Sequence, residues 1–400
     1  MKMMNDQLKP IAQKVYSGQR LSSEDGLVLL RSKDVWTIGE LADHVRRRRH
    51  GRTVYYNINR HINYSNICAL SCKFCSFYRK KGQEGAYVFS HDQILQQALD
   101  AAAGGATEVH IVGGLHPWLT FDYYTRMLEA IRQAVPKIHI KAFTAVEIVH
   151  LARISKRPQD LEGVLNDLKD AGLGSLPGGG AEVFDDRVHD QAFKGKIRSD
   201  QWLQVHETAH RIGLRSNATI LYGHIESLED RVHHLCMLRD AQDRAIQNQL
   251  KGRFQTVIPL PFVPGGSELE HLPGPTGLDD LKMLAVSRLM LDNFPHVKAF
   301  WIMQTLELSQ LSLQFGVDDI DGTVVWYDIT KVGSCDTHQE VTVTDLRRAV
   351  REAGFDPVER DTLYRHIQRN GGDWRVADDD QDTTTPGKNH TSTERVVVER

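Results

Sequence analysis

Three cysteines within eight residues constrain this chain more than any other feature of its sequence. Cys68, Cys72 and Cys75 follow the pattern CxxxCxxC, soon after a run at residues 53–59 that is typical of a β-strand. A loop with this spacing can place three thiolates around one metal centre, and thiolates in this number suit zinc or an iron–sulfur cluster. The sequence therefore predicts a metal site on these three cysteines.

The spacing leaves the identity of the metal open. Zinc in a structural site requires a fourth ligand, usually from a CxxC pair, and no such pair follows. Cys236 and Cys335 are isolated in the sequence, and His61 is the only nearby candidate. A cubane held by three cysteines instead leaves one iron open to a substrate or cofactor. The spacing favours this open cluster, with zinc and a disulfide as the alternatives.

Composition excludes several classes of protein. The 400 residues include 49 basic and 52 acidic side chains, and the formal charge of −3 argues against a nucleic-acid-binding surface. Charges break the apolar runs well short of a membrane span, and residues 1–7 lack the apolar core of a secretory signal. Five cysteines, three of them clustered, fit a reducing cytoplasm better than a disulfide framework. We therefore expect a cytoplasmic enzyme without a nucleic-acid or membrane partner.

Strand-like and helix-like segments alternate between residues 53 and 327, which indicates βαβ crossovers and parallel strand pairing. About eight such units predict an α/β fold built on a TIM-type (β/α) barrel, closed or incompletely closed. A doubly wound open sheet is the alternative. Barrel enzymes place their active sites in loops at the carboxyl ends of the strands, and several residues of interest follow strands here. These are the three cysteines, Gly113, Gly114, Glu147, residues 177–182 and residues 223–226.

The chain divides into four predicted segments. Residues 1–50 form a helical N-terminal segment, and residues 51–343 form the barrel. A C-terminal helical extension covers residues 344–377, with a helix beginning near Thr344. Residues 378–400 are polar, charged and free of aromatic side chains, which predicts a disordered tail.

Glycines and carboxylates at the strand ends are candidate cofactor-binding residues. Gly113 and Gly114 would let the backbone approach a ligand closely, although a simple turn is the alternative. Glu147 follows the third strand, where a carboxylate can bind ribose hydroxyls or form a surface salt bridge. Glu226 occupies a similar position after a later strand.

Arg288 is the unusual charge in a predicted helix, because it shares a face with leucines and alanine. Either it pairs with Asp292 one turn on, or its guanidinium clamps a substrate carboxylate. Histidines are abundant, and each is more often structural than catalytic. His116 and His224, in strand-end loops, are the better catalytic candidates.

Seven blocks of sequence, together with Phe74 just before the third cysteine, carry a family resemblance. The blocks are residues 59–63, 68–75, 110–117, 141–148, 175–182, 216–226 and 272–282. They resemble aminofutalosine (aminodeoxyfutalosine) synthase, a radical S-adenosylmethionine (SAM) family of the futalosine route to menaquinone. The match runs from residue 35 or so to residue 330.

The resemblance implies a radical SAM barrel in which Cys68, Cys72 and Cys75 hold one [4Fe–4S] cluster. Its open iron would chelate SAM, and the pair Gly113 and Gly114 would contact the SAM amino group. The family frequently has an acidic residue after this pair, and the chain has Leu115 there, so that part of the motif is absent.

The resemblance also implies the reaction. The 5′-deoxyadenosyl radical from SAM adds to the enol-ether double bond of 3-[(1-carboxyvinyl)oxy]benzoate. Rearrangement and loss of the carboxylate as bicarbonate give 6-amino-6-deoxyfutalosine, so SAM is consumed and the enzyme is a transferase. A reducing partner such as flavodoxin or ferredoxin, and a homodimer, are expected with it. Two alternatives stay open: a cyclic dehypoxanthinyl futalosine synthase of the same pathway, and a non-catalytic zinc-stabilised barrel.

Overall fold

The computed structural model describes residues 6–324 and 340–377. Its strands are β1 (Thr53–Asn57), β2 (Asn59–Ile62), β3 (Glu108–Ile111), β4 (His139–Ala142), β5 (Ser175–Leu176), β6 (Arg215–Tyr222), β7 (Phe254–Pro261), β8 (His296–Val297), β9 (Asp319–Gly322), β10 (Asp356–Glu359), β11 (Ile367–Asn370) and β12 (Asp373–Val376). Its helices are α1 (Lys9–Ser17), α2 (Ser23–Arg31), α3 (Val35–His50), α4 (His91–Ala103), α5 (Phe121–Ala134), α6 (Ala145–Ile154), α7 (Leu161–Ala171), α8 (Asp186–Ala192), α9 (Ser199–Arg211), α10 (Leu228–Gln247), α11 (Gly277–Met290), α12 (Trp301–Gln304), α13 (Leu306–Ser312) and α14 (Val343–Glu352).

Seven parallel strands, β2 to β8, form one curled sheet in chain order. A parallel bridge between Lys298 and Asp319 continues the pairing from β8 to β9, and β9 pairs in parallel with β1. Because β1 lies directly before β2 in the chain, the hydrogen bonds lead back towards the first strand of the sheet. The predicted TIM-type barrel is confirmed, and sequential strand order rules out the doubly wound alternative, which reverses at a switch point.

Helices cover the outside of the sheet, and their starts follow from local sequence. Ser90, Thr144 and Ser227 each accept a hydrogen bond from the third residue of α4, α6 and α10, and the side chains of those third residues return the contact. These capping boxes satisfy backbone donors that have no partner inside the helix. Apolar side chains between the helices and the strands form one continuous core.

The N-terminal segment packs closely against the barrel through α3 and α11. A β-carbon built on Gly39 of α3 would lie 2.6 Å from the ring of Phe315, so only glycine allows this approach. The Arg49 side chain donates to the backbone carbonyls of Asp292 and Phe294, which follow α11. The helical character predicted for this segment is therefore present from Lys9 to His50.

The C-terminal extension differs from the prediction. It contains α14, and it also contains β10 and the antiparallel hairpin of β11 and β12, where only a helix was predicted. β10 pairs in parallel with the outer edge of β1, from Thr53 with Asp356 to Tyr56 with Glu359. The extension is thus built onto the barrel.

The predicted tail at residues 378–400 lies outside the described residues. Among the helices that are described, none is both long enough and apolar enough to cross a bilayer.

Candidate active site

A cavity of about 300 Å³ opens at the carboxyl ends of the barrel strands. We call it the barrel cavity. Its lining includes His61, Cys68, Cys72, Phe74, Cys75, His110, Gly113, Gly114, Lys141, Glu147, residues 177–180, Glu182, Lys196, Asn217, Thr219, Lys298 and Asp321. The predicted cysteines, the glycine pair, Phe74 and Glu147 therefore meet around one space.

The cysteine loop, residues 63–80, is fixed by hydrogen bonds to its own backbone and to neighbouring loops. The Cys68 N–H donates to Arg79 O at 3.1 Å, and the Lys80 ammonium donates to the carbonyls of Cys68, Ala69 and Leu70. The Lys73 N–H donates to Ala192 O at 2.8 Å, which ties the loop to α8. The thiols are thus held on a braced loop rather than on a free one.

The thiols fit a metal centre better than a role as free nucleophiles. Burial raises the pKa of the Cys72 thiol to about 12 and also raises the pKa of Cys75. Such thiols ionise at neutral pH only beside a strong positive charge, which a metal centre provides. The Leu115 N–H donates to Cys68 Sγ at 3.4 Å, a contact that suits a thiolate ligand.

The distances among the three thiols bear on the choice between zinc and an iron–sulfur cluster. Tetrahedral zinc with Zn–S bonds of about 2.3 Å brings its sulfur ligands to roughly 4 Å from one another. In the described part of the chain, the one group of at least three such ligand residues within 4.8 Å is His50, His296 and Asp318, not the cysteines. The three thiols are therefore not gathered as closely as the ligands of a single zinc ion.

Gly113 and Gly114 pack against the cysteine loop. A β-carbon on Gly113 would lie 2.7 Å from the Tyr64 ring, and one on Gly114 would lie 2.4 Å from Ile67 O. The Gly113 N–H donates to Glu147 and the Gly114 N–H to Ser65 O. The backbone at Gly113 and Gly114 thus packs directly against the cysteine loop, and only glycine leaves room for this contact. Both backbone N–H groups of the pair are therefore already used inside the protein.

Glu147 is buried beneath the glycine pair and accepts four hydrogen bonds. The donors are the Tyr64 hydroxyl at 2.8 Å, the Gly113 N–H at 3.0 Å, and the Thr144 N–H and hydroxyl, both at 2.8 Å. Burial outweighs these donors and raises the pKa of Glu147 to about 7. Glu147 lines the barrel cavity and also fixes the position of Gly113 relative to α6.

Polar side chains in the barrel interior lie below the cysteine loop. His61, His110 and Lys141 stand side by side on β2, β3 and β4, because the register pairs His61 with His110 and His110 with Lys141. We call these three residues the polar layer. Lys141 Nζ lies 2.5 Å from Glu108 Oε1, and Lys298 Nζ lies 3.0 Å from Asp321 Oδ1. Charged groups therefore occupy an interior that barrels usually fill with Val, Ile and Leu.

A third, partly buried ion pair lies beside the cysteines. Lys196 pairs with Glu182, and its ammonium lies 5.3 Å from the centre of the Phe74 ring. The Gly178 carbonyl accepts from the Thr219 hydroxyl at 2.7 Å, and a β-carbon on Gly178 would collide with the Ala218 backbone at 2.6 Å. The triple-glycine loop at residues 178–180 thus brings backbone to the cavity wall between β5 and β6.

Comparison with known proteins identifies the family of the chain. Residues 62–238 match the radical SAM superfamily, and residues 251–371 match the CofH/MqnC C-terminal region. Aminodeoxyfutalosine synthase of Thermus thermophilus is 44% identical over 365 residues, which are 90% of this chain and 96% of the relative. The chain belongs to the aminodeoxyfutalosine synthase family of radical SAM enzymes.

Three further proteins are similar to this chain in sequence or in fold. Aminodeoxyfutalosine synthase of Streptomyces coelicolor is 42% identical over 91% of this chain and 95% of its own length. A cyclic dehypoxanthine futalosine synthase of Halalkalibacterium halodurans is 33% identical over 90% of this chain and 94% of its own. The fold resembles that of methylornithine synthase, with a TM-score of 0.68 at 17% identity, over 87% of this chain and 97% of that one. Membership of the radical SAM family implies a [4Fe–4S] cluster and SAM, for which the chain carries the three cysteines.

Three of the predicted site residues, His116, His224 and Glu226, lie outside the lining of the barrel cavity. The ring of His116 accepts N–H donors from Trp118 and Leu119 and so stabilises its own loop. Glu226 accepts from the Arg231 guanidinium at 2.8 Å and from the backbone of the loop before α10. The ring of His224 donates to Leu221 O at 3.1 Å and lies 3.4 Å from Glu226. These contacts brace strand-end loops and give the three side chains no place among the cavity walls.

Arg288 also lies away from the cavity. It is fully buried, donates to Gly316 O at 2.8 Å and to Pro295 O at 3.0 Å, and forms an ion pair with Asp318. Asp292, the partner expected from helix spacing, instead contacts Arg20 at 2.9 Å. Arg288 therefore stabilises the fold and does not reach the cavity. Because Arg288 also neutralises Asp318, the group of His50, His296 and Asp318 is a charge network rather than a cation site.

Sequence reasoning missed the charged residues of the barrel interior. The sequence patterns do not distinguish Lys141, Lys298 or His110 as site residues. A usable signal was present, because β4 reads His-Ile-Lys-Ala and so carries a lysine inside a short buried strand. Lysine is rarely buried without a partner or a function.

Proposed function

We propose that this chain joins the 5′-deoxyadenosyl group of SAM to 3-[(1-carboxyvinyl)oxy]benzoate. The products are 6-amino-6-deoxyfutalosine, methionine and bicarbonate, and the pathway is menaquinone biosynthesis. The observation that carries the proposal is the barrel cavity, where three thiols, a glycine pair and two buried lysines surround one space. The 44% identity to an aminodeoxyfutalosine synthase supports the choice of reaction.

Cys68, Cys72 and Cys75 would hold a [4Fe–4S] cluster with one iron free of protein ligands. When bound, the cluster and SAM supply a 5′-deoxyadenosyl radical. The role of the protein is to position the substrate double bond beside that radical and to exclude water. The mostly apolar upper wall of the cavity, which includes Leu70, Phe74 and Phe262, suits this second task.

SAM would lie between the cysteine loop and the strand ends of β3 and β4. Gly113 and Gly114 shape the wall there by packing against Tyr64 and Ile67, and Glu147 fixes this packing. We propose that the glycine pair, Phe74 and Glu147 contribute to SAM binding, with the backbone carbonyls as the groups that meet the SAM amino group. Glu147 would act on SAM through the backbone that it holds, because its two oxygens already accept four hydrogen bonds from Tyr64, Gly113 and Thr144.

A reducing partner must supply the electron that cleaves SAM. We propose a small acidic electron carrier of the flavodoxin or ferredoxin type, acting in the cytoplasm. Lys73 in the cysteine loop and Lys81 directly after it are exposed, and their positive charges favour an acidic partner. A homodimer is compatible with this proposal and is not required by it.

One experiment tests the reaction. The anaerobically reconstituted protein is reduced and incubated with SAM and 3-[(1-carboxyvinyl)oxy]benzoate, and the nucleoside product is identified by mass. We expect 6-amino-6-deoxyfutalosine from the wild type and none from the Cys72→Ala variant. Formation of 5′-deoxyadenosine without any adduct would contradict the proposal. Incubation with dehypoxanthine futalosine tests the related synthase, and a cyclised product there would favour the alternative reaction.

A further inference from the structure

The polar layer places ionisable groups at one level of the barrel interior. His61, His110 and Lys141 are neighbours in register on three adjacent strands, and all three line the barrel cavity. Burial lowers the pKa of His61 to about 4 and that of His110 well below its usual range. Both rings are therefore neutral at pH 7, and the positive charge at this level belongs to lysine.

Lys141 and Lys298 are buried ammonium groups with donors to spare. Each is 3% exposed, and each lines the barrel cavity. An ammonium group has three N–H donors. Within residues 6–324 and 340–377, the carboxylate contacting Lys141 is Glu108, and the one contacting Lys298 is Asp321. Donors therefore remain on both lysines for an acceptor inside the cavity.

A buried carboxylate opposes the effect of burial on Lys141, because burial lowers the pKa of this ammonium group and Glu108 raises it. Although burial alone would raise the pKa of Glu108, the ammonium groups of Lys141 and Lys298 hold it well below its usual range. The two lysines also share one region of the barrel, because both side chains line the barrel cavity. The side chain of Asn217, on β6, also lines the cavity and adds an amide to its wall. Together they form a site built for an anion with several acceptor atoms.

We infer that Lys141 and Lys298 bind the ring carboxylate of the benzoate substrate, an inference that rests on the proposed function. The reacting double bond must lie near the cysteine loop, which is beyond the carboxyl ends of the strands. Lys141 lies within β4, below that loop. The substrate carries its ring carboxylate at the end remote from the double bond. One molecule can therefore span the cavity with its vinyl group at the cysteines and its benzoate at the lysines.

A substrate analogue isolates this contact. We propose to measure adduct formation against concentration for the natural substrate and for 2-phenoxyacrylate, which keeps the enol ether and lacks the ring carboxylate. The wild type should prefer the natural substrate in kcat/KM by roughly ten- to a hundredfold, as expected for a charged hydrogen bond. In Lys141→Met and Lys298→Met this preference should fall towards one, because only the natural substrate loses a contact.

Unpaired carboxylates in these variants can impair folding, so matched variants are needed. Glu108→Gln combined with Lys141→Met, and Asp321→Asn combined with Lys298→Met, remove each ion pair without leaving a buried charge. Lys282→Met is the control. Lys282 is a half-buried lysine on α11 whose ammonium donates to Leu30 O at 3.0 Å, outside the cavity. This control should retain the full preference for the natural substrate.

Each outcome has a defined meaning. If the wild type forms no adduct from the natural substrate, the proposed function fails. If the wild type forms the adduct and the folded lysine variants keep its preference for the ring carboxylate, the lysines do not bind that group and only the inference fails. Direct binding of 3-hydroxybenzoate to the wild type, weakened about tenfold or more in the double variants, would support the lysine site without any dependence on turnover.

Discussion

Gly114 and Ile67 are packed so closely that a β-carbon on Gly114 would lie 2.4 Å from the Ile67 carbonyl oxygen and 3.1 Å from Cys68 Cβ. The strand end of β3 and the start of the cysteine motif therefore share one contact surface. A change at this glycine acts on the loop that carries the metal ligands, and not on a ligand alone.

We expect Gly114→Ala to lower the iron content of the reconstituted protein. The added methyl group must displace the backbone of the cysteine loop, and such overpacking costs on the order of 1–3 kcal/mol. Iron per chain and the urea midpoint of unfolding are the measurements. Gly265→Ala is the control, because a β-carbon on Gly265 meets no atom within 4 Å. Normal iron content in Gly114→Ala, together with weaker SAM binding, would instead favour a direct contact between the glycine and SAM.

Alanine variants of the cysteines test the cluster ligands. We expect Cys68→Ala, Cys72→Ala and Cys75→Ala to lose most of the iron and the broad visible absorption after anaerobic reconstitution, because each removes one of three ligands. Cys236→Ala should retain both. Cys236 lies on α10, outside the cavity lining, and provides a matched control. Stoichiometric zinc in place of iron would contradict the cluster assignment.

Arg288→Lys should destabilise the fold and leave catalysis unaffected. Lysine keeps the charge beside Asp318, but it cannot also reach the carbonyls of Gly316 and Pro295. Buried carbonyls left without donors cost about 1–3 kcal/mol, which urea unfolding would detect. Arg348→Lys, on the exposed face of α14, should change the free energy of unfolding by less than about 0.5 kcal/mol. An increased KM for the benzoate substrate at unchanged stability would restore Arg288 to a role in substrate binding.

His234 makes stability dependent on pH. The Phe184 N–H donates to its Nδ1 at 3.1 Å, and its Nε2 donates to Thr219 O at 2.9 Å, so the buried ring is neutral. Burial lowers the pKa of His234 to about 3, well below the 6.5 of an exposed histidine. The unfolded chain therefore binds an extra proton between these values, and the stabilising contribution present above pH 6.5 is lost as the pH falls towards 3.

The measurement is urea unfolding at pH 7.5 and pH 5.5. One such histidine should lower the free energy of unfolding by about 1.4 kcal/mol for each pH unit below 6.5. His234→Gln should reduce this dependence, because glutamine offers an acceptor and a donor without titrating. His233→Gln, at the exposed neighbouring position on α10, should match the wild type. Equal pH dependence in His234→Gln and the wild type would show that the ring is not a source of acid sensitivity.

The parts of the fold that local sequence determines could be predicted, and those that depend on distant partners could not. The cysteine spacing and the alternation of strands and helices are local signals, and both led to the observed barrel. The Arg288 partner was misjudged because Asp318 lies on another part of the chain, whereas helix spacing offers only Asp292. β10 reads Asp-Pro-Val-Glu, which is a poor strand sequence, and it forms because β1 has an edge to pair with.

The same limit applies to the candidate site. The cysteines and glycines could be predicted because each motif carries its meaning within a few residues. Lys141 became a candidate only when the register placed it beside His110 and the ion pair with Glu108 showed how its charge is tolerated. His224 and Glu226 were predicted from their position after a strand, and that position alone does not determine whether a side chain turns inward or braces its loop.

β1 leads directly into the strand that precedes the cysteine loop, yet both of its neighbours come from the far end of the described chain. β9 pairs with one edge and β10 with the other. During synthesis, the cysteine loop leaves the ribosome long before either neighbour exists, and pairing across such a sequence separation is slow. β1 therefore gains its two partners only after residues 319–359 have been made, so a cluster that requires the finished barrel would be inserted after that part of the chain has folded.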